Sequence, residues 1–148
     1  MVKKCAGFTI MKLMVVIAII GILAAISTPN LIGWRLDRHY NDSLQATFRI
    51  VNESKVQAIK ENRTTRVEFD GDEIRAFIID ENGNELRRLR TYELQPGVNI
   101  SRINFDDDRI DFDSRGLPNQ GGNISIEASG RGLANEIQIS LAGRIRLQ

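Results

Sequence analysis

Residues 7–26 of this 148-residue chain read GFTIMKLMVVIAIIGILAAI, and this stretch governs how the rest of the chain is organised. The 21 residues from Phe8 to Thr28 are apolar except for four polar residues: Thr9, Lys12, Ser27 and Thr28 itself. A helix of this length rises ~1.5 Å per residue and spans ~32 Å, which matches the ~30 Å hydrocarbon core of a bilayer. The stretch therefore predicts a helix that crosses a membrane.

The residues that flank this helix indicate its orientation and its end. Lys3 and Lys4 precede the apolar run, and positive charge at this position keeps the N-terminal side in the cytoplasm. Pro29 is expected to kink or interrupt the helix, because proline lacks the backbone N–H that an α-helix needs. Charge and hydropathy alone leave two interpretations, a secretory signal peptide cleaved near Ser27 or a retained anchor. The length of the run favours the anchor.

Residues 7–26 closely resemble the leader and membrane segment of type IV pilins and pseudopilins, and Pro29 lies where that family carries a proline. The resemblance implies that a prepilin peptidase cleaves after Gly7 and that the new N-terminal residue, Phe8, is methylated. Cleavage at this point retains the helix and removes residues 1–7 as a leader. It also removes Cys5, the single cysteine of the chain. The implied location is the bacterial inner membrane, crossed once, with a periplasmic C-terminal domain.

Lys12 is the residue that departs from the family pattern. Pilins usually carry a glutamate there, which is thought to pair with the N-terminal amine of a neighbouring subunit. A lysine is cationic and would repel that amine unless it reaches the headgroups or loses its proton. We hypothesise that the chain occupies a tip or initiating position in a filament, or is rarely incorporated. In the alternative interpretation, Lys12 is simply solvated near the cytoplasmic face.

Residues 30–63 predict an amphipathic helix that continues the first one. Apolar residues recur mostly at steps of three and four, and polar residues fill the gaps. Asn62 is the predicted stop. The apolar positions are Leu31, Ile32, Leu36, Tyr40, Leu44, Phe48, Val51 and Ala58.

Residues 64–148 predict an antiparallel β domain, because alternation of polar and apolar residues replaces the helical period. Asp70-Gly71-Asp72 is typical of a hairpin turn. The whole chain is thus expected to be α+β, with a long N-terminal helix (a membrane-spanning half, 8–29, and an amphipathic half, 30–63) packed on one or two antiparallel sheets. The predicted strands are 66–69, 74–79, 86–94, 98–105, 110–112, 123–127, 136–141 and a last piece through 144–147.

Three segments resemble the GspH/FimT branch of the pilin superfamily: residues 58–63 before the first strand, residues 112–118 with their Gly-x-Pro turn, and residues 137–146. The branch contains the minor pseudopilin H of type II secretion. It also contains FimT-like minor pilins, some of which bind DNA for uptake through a C-terminal Gly-Arg-x-Arg motif. Both functions are open for this chain. The resemblance also implies other pilin subunits as partners.

The C-terminal segment Gly143-Arg144-Ile145-Arg146 has this Gly-Arg-x-Arg pattern. In one continuous strand from residue 137, alternation would place both arginines on the face opposite the apolar residues. A guanidinium group donates two parallel hydrogen bonds to phosphate, so the pair predicts binding to double-stranded DNA. Arg131, between two glycines, is a further candidate from a nearby loop. The alternative is an ordinary solvated strand face.

The composition argues against several other functions. With 20 Lys+Arg and 19 Asp+Glu, the overall charge does not favour nucleic acid or membrane surfaces. One cysteine and one histidine, His39, allow no internal disulfide and leave little for a zinc site. The aspartates between Asp106 and Asp113 lack the spacing of an EF-hand, so a polar turn is favoured over a calcium site. No catalytic or cofactor motif is found, and we expect neither an enzyme nor a cofactor.

Overall fold

The computed structural model describes residues 10–130 and 132–148, except for the side chains of residues 26–32. The chain divides into two units, one up to Arg35 and one from Leu36 to Gln148. Within the described ranges, one helix is followed by eight strands and a short 3-10 turn at Asp106–Asp108. The elements are α1 (Ile10–Glu61), β1 (Thr64–Asp70), β2 (Glu73–Ile79), β3 (Glu85–Glu93), β4 (Val98–Ile103), β5 (Arg109–Phe112), β6 (Gly122–Ala128), β7 (Leu133–Ile139) and β8 (Ile145–Leu147).

The strands form two antiparallel sheets of four strands each. Sheet 1 has the order β3-β2-β1-β5, and sheet 2 has the order β4-β6-β7-β8. Most neighbours along the chain are joined by hairpins, but β5 lies in sheet 1 although β4 and β6 lie in sheet 2. The α+β class with an antiparallel β domain is therefore confirmed.

Helix α1 ends before Asn62, where the sequence predicts its end. It is not interrupted at Pro29, where a kink or an interruption was expected. The helical backbone runs through Pro29, because proline removes a single donor and the turns on both sides keep their hydrogen bonds. The helix ends at Glu61, and Asn62 adopts a left-handed conformation with φ 51°. The N–H of Arg63 then donates to the carbonyl oxygen of Ala58 at 3.1 Å, which satisfies an orphan carbonyl. The predicted stop at Asn62 is confirmed.

The core of the Leu36–Gln148 unit lies between α1 and the two sheets. The periodic helix positions Tyr40, Leu44, Val51 and Ala58 are all buried in it, as the spacing predicts, and Leu36 and Phe48 pack at its margin. The helix and both sheets share one apolar cluster rather than forming separate cores. The buried strand residues are Val67, Phe69, Ile74, Ala76, Val98, Ile110, Phe112, Ile124, Ile126, Ala128, Ile137 and Ile139.

Three hydroxyl residues on the same helix face are also fully buried: Ser43, Thr47 and Ser54. Thr47 Oγ1 donates to the Ser43 carbonyl oxygen and Ser54 Oγ to the Ile50 carbonyl oxygen, both at 2.8 Å. Ser43 Oγ accepts the N–H of Gln95 at 3.1 Å. Because each hydroxyl has a partner, small polar side chains are tolerated where the helix approaches the strands closely.

In the unit up to Arg35, the large apolar side chains from Ile10 to Leu23 are exposed. Lys12 is exposed among them. Among the residues that the structure describes, no helix combines the length and the apolar character needed to cross a membrane.

Candidate functional site

The C-terminal arginines lie on a hairpin, not on one continuous strand. Strand β7 ends at Ile139, and the chain turns between Ser140 and Arg144 before β8 returns along β7. The Ser140 N–H donates to the Arg144 carbonyl oxygen at 2.9 Å, and the Gly143 N–H donates to the Ser140 carbonyl oxygen at 2.8 Å. The strands predicted over 136–141 and 144–147 correspond to β7 and β8, but the unbroken alternation assumed between them is wrong. The interruption arises because Gly143 adopts a left-handed φ of 73°, which closes the turn.

The arginines nevertheless share a face, because the hairpin register preserves the alternation. Gln138 lies opposite Arg146, and Ile139 lies opposite Ile145. Arg144 pairs with Ser140, two positions further along the same face. Since Ile139 points into the core, both arginines point away from it, and both are exposed.

Gly143 is held close to two other segments of the chain. A Cβ placed on it would lie 2.8 Å from the carbonyl oxygen of Gly116, so only glycine fits without a backbone shift. Lys55 on α1 donates from Nζ to the Gly143 carbonyl oxygen at 2.7 Å. The turn that presents Arg144 is thus fastened to the helix. The sequence did not predict that Lys55 contacts this turn. The only signal was Gly143, because a glycine in this position indicates that another element approaches closely.

Arginines in the two sheets differ in their partners. Seven arginines form ion pairs with carboxylates, and all of them lie in sheet 1 or the loop after β5. In the described part of sheet 2, neither Arg144 nor Arg146 has a carboxylate within 4.0 Å. The seven paired residues are Arg66, Arg75, Arg87, Arg88, Arg90, Arg109 and Arg115.

Three of the predicted site residues, Gly7, Phe8 and Arg131, lie outside the described residues. The neighbours of Arg131, Gly130 and Gly132, precede β7, whereas Arg144 follows the turn at the other end of that strand.

Three of the five aspartates between Asp106 and Asp113 are paired with arginines. Asp111 accepts two hydrogen bonds from Arg66, from Nε at 2.7 Å and Nη2 at 2.8 Å. Asp107 pairs with Arg109 at 2.9 Å. Within the described ranges, no three His, Cys, Asp or Glu side chains are grouped as a metal site requires. The cluster serves strand pairing and loop closure.

Asp113 organises the loop between β5 and β6. Its Oδ1 accepts the backbone N–H groups of Leu117 and Arg115, both at 2.9 Å. These donors, the Leu117 N–H foremost, lower the pKa of Asp113, and the Arg115 guanidinium adds to the effect. The ordered loop places Gly116, with φ 77°, against Gly143.

The one histidine takes part in a structural contact. His39 Nδ1 donates to the Pro96 carbonyl oxygen at 3.2 Å. One residue later, the Tyr40 hydroxyl donates to Asn135 Oδ1 at 2.5 Å, and burial raises the pKa of Tyr40, with the nearby Glu127 charge adding to it. The first contact fixes α1 against the turn between β3 and β4, and the second fixes it against β7.

A helix with an exposed apolar N-terminal part, followed by a second part packed on antiparallel sheets, defines a type IV pilin-like protein. Residues 44–143 match the family model described as Type II transport protein GspH. The chain belongs to this family, and with it to the pilin and pseudopilin superfamily. No curated protein sequence matches the chain.

Solved structures of both kinds of filament subunit are similar in fold. The type IV minor pilin FimU of Pseudomonas aeruginosa superposes with a TM-score of 0.65 at 14% identity, covering 76% of this chain and 90% of FimU. The minor pseudopilin EpsH of the Vibrio cholerae Type 2 Secretion System gives 0.62 at 13% identity, covering 74% of this chain and 96% of EpsH.

Proposed function

We propose that this protein is a minor subunit of a type IV pilus-like filament, inserted in the bacterial inner membrane before assembly. The observation that supports this most is the exposure of the large apolar side chains from Ile10 to Leu23. A helix that is apolar on every side is stable in lipid or among other helices, but not in water. The domain Leu36–Gln148 would lie in the periplasm, and other pilin-type subunits would be its partners.

The same proposal includes processing by a prepilin peptidase after Gly7 and methylation of Phe8. Cys5 makes the cleavage easy to measure, because it is the only thiol of the chain and would leave with the leader. A maleimide-polyethylene glycol reagent should shift the precursor on a denaturing gel and leave the product made with prepilin peptidase unshifted. Gly7→Val should keep the shift. Retention of the thiol in the parent after peptidase treatment would contradict cleavage at this position.

Lys12 supports the hypothesis of a tip or initiating position, because it cannot pair with a neighbour's N-terminal amine. Lys12→Glu should then increase incorporation along the filament, measured by immunogold labelling. An unchanged amount and distribution would favour the alternative in which Lys12 is solvated at the cytoplasmic face.

A second candidate function, binding of double-stranded DNA, is favoured by Arg144 and Arg146. Both guanidinium groups are exposed on one face, and neither is paired with a carboxylate in the described part of the chain. Two or three phosphate contacts would give weak binding without sequence preference. The slope of log affinity against log salt would be near −0.9 for each contact.

This candidate is tested by fluorescence anisotropy of a labelled duplex with the full chain in nanodiscs of zwitterionic lipid. We expect salt-sensitive binding that Arg144→Gln/Arg146→Gln removes. The family model is described as Type II transport protein GspH. This description supports the alternative function equally, a secretion pseudopilin that binds no DNA. Absence of binding by the parent at low salt would favour that alternative, with the Gly143 turn serving only the fold.

A further inference from the structure

The outer face of sheet 2 carries a third arginine, Arg102, at the opposite edge from Arg146. Arg102 lies on β4, is exposed, and has no carboxylate within 4.0 Å among the described residues. A groove of about 280 Å³ runs from it across β6 to β7. The groove is lined by Ser101, Arg102, Ser125, Glu127, Ala134 and Glu136.

The strand register fixes how far Arg102 is from the C-terminal arginines. Arg102 lies opposite Ser125, and Ser125 lies opposite Glu136. Arg146 lies opposite Gln138, two residues further along β7 than Glu136. With ~4.8 Å between strands and ~3.3 Å per residue, Arg102 is ~14 Å across the sheet and ~7 Å along it from Arg146. The two displacements combine to ~16 Å between backbone positions, which exceeds the ~12 Å width of the major groove of DNA by an amount that long arginine side chains can span.

Two carboxylates, Glu127 and Glu136, line the groove with Arg102, and Glu136 is occupied by neutral donors. Glu136 accepts Asn123 Nδ2 on one oxygen and Ser125 Oγ on the other, each at 3.0 Å. Among the described residues, Arg102 forms an ion pair with neither Glu127 nor Glu136, whereas five arginines on the strands of sheet 1 other than β5 are paired with carboxylates. An unpaired guanidinium on an open strand face can bind phosphate without first breaking an internal ion pair.

We propose that Arg102 is a third phosphate-binding residue and that DNA lies across the outer face of sheet 2, from β8 to β4. This inference rests on the proposed DNA-binding function. Phosphates of one DNA strand would contact Arg144 and Arg146, and a phosphate of the other DNA strand, across the major groove, would contact Arg102. Glu127 and Glu136 on the same face keep the binding weak.

The test compares Arg102→Gln with Arg88→Gln, using the nanodisc-embedded full chain and a labelled duplex across a salt series. The two substitutions change net charge equally, but Arg88 is exposed on β3 of sheet 1 and is paired with Glu85 at 3.2 Å. We expect Arg102→Gln to weaken binding by up to about five-fold and to reduce the salt slope by about 0.9. Arg88→Gln should leave the slope unchanged.

The outcomes separate this inference from the function on which it rests. If the parent binds DNA and loses it with Arg144→Gln/Arg146→Gln, but keeps its slope with Arg102→Gln, then Arg102 makes no contact and the inference is overturned. Equal losses with Arg102→Gln and Arg88→Gln would show an effect of net charge alone and would also overturn it. A parent that binds no DNA refutes the proposed DNA-binding function itself.

Discussion

Replacing Gly143 with alanine should destabilise the domain Leu36–Gln148 strongly, for two separable reasons. Its φ of 73° is a left-handed conformation, which costs an L-residue ~1–2 kcal/mol. Its Cβ would also lie 2.8 Å from the Gly116 carbonyl oxygen, a backbone atom that cannot rotate away. Forcing that backbone to shift costs ~1–3 kcal/mol. Together the two effects predict a loss of ~2–5 kcal/mol in the free energy of unfolding.

Gly71→Ala is the matched control, because it isolates the first effect from the second. Gly71 has a similar φ of 60°, but a Cβ there meets no atom within 4 Å. Its replacement should cost ~1–2 kcal/mol. The core residues lie between Tyr40 and Ile139, so the fragment 30–148 contains the whole core. Its unfolding in urea, monitored by circular dichroism, is a suitable assay. Equal losses for Gly71→Ala and Gly143→Ala would refute the close contact with Gly116.

Three further predictions concern contacts around the same turn and sheet 1. Lys55→Met should cost ~1–2 kcal/mol by leaving the Gly143 carbonyl without its donor, and amide hydrogen exchange in the β7–β8 turn should become faster. Arg66→Met and Asp111→Ala should show a coupling of ~1.5–3 kcal/mol in a double-mutant cycle, and additive losses would contradict their bidentate pairing. Asp113 has a lowered pKa, so its stabilisation is complete above the unfolded pKa of about 3.9 and is lost as pH falls through the folded pKa. The melting temperature of Asp113→Asn should therefore fall less than that of the parent when the pH is lowered below 4.

Local patterns were sufficient to predict most of the fold. The end of α1 at Asn62, the β1–β2 hairpin at Gly71 and the buried helix positions from Tyr40 to Ala58 all follow from periodicity and turn chemistry. These features depend on residues close together in sequence. The buried hydroxyls of the helix could not be predicted in this way, because their burial depends on how closely the strands approach.

The C-terminal site shows where sequence reasoning was incomplete. Alternation placed Arg144 and Arg146 on one face correctly, although the assumed continuous strand was a hairpin. The agreement arises because an antiparallel pair keeps opposite residues on the same face. The Lys55 contact joins residues 88 positions apart, and Arg66, Arg87 and Arg90 pair with carboxylates that are distant in sequence. Neither leaves a pattern in the sequence.

The crossing of β5 into sheet 1 has a consequence for how the domain opens. The pairing of β1 with β5 joins residues about 45 positions apart, and the intervening β4 belongs to sheet 2. The chain therefore passes from sheet 1 to sheet 2, back to sheet 1 and again to sheet 2, and both sheets share one apolar core. We expect the domain to unfold in a single cooperative transition and to resist proteolysis between the sheets until that transition occurs. Under the proposed function, a subunit withdrawn from a filament would thus keep its domain Leu36–Gln148 folded and ready for another round of assembly.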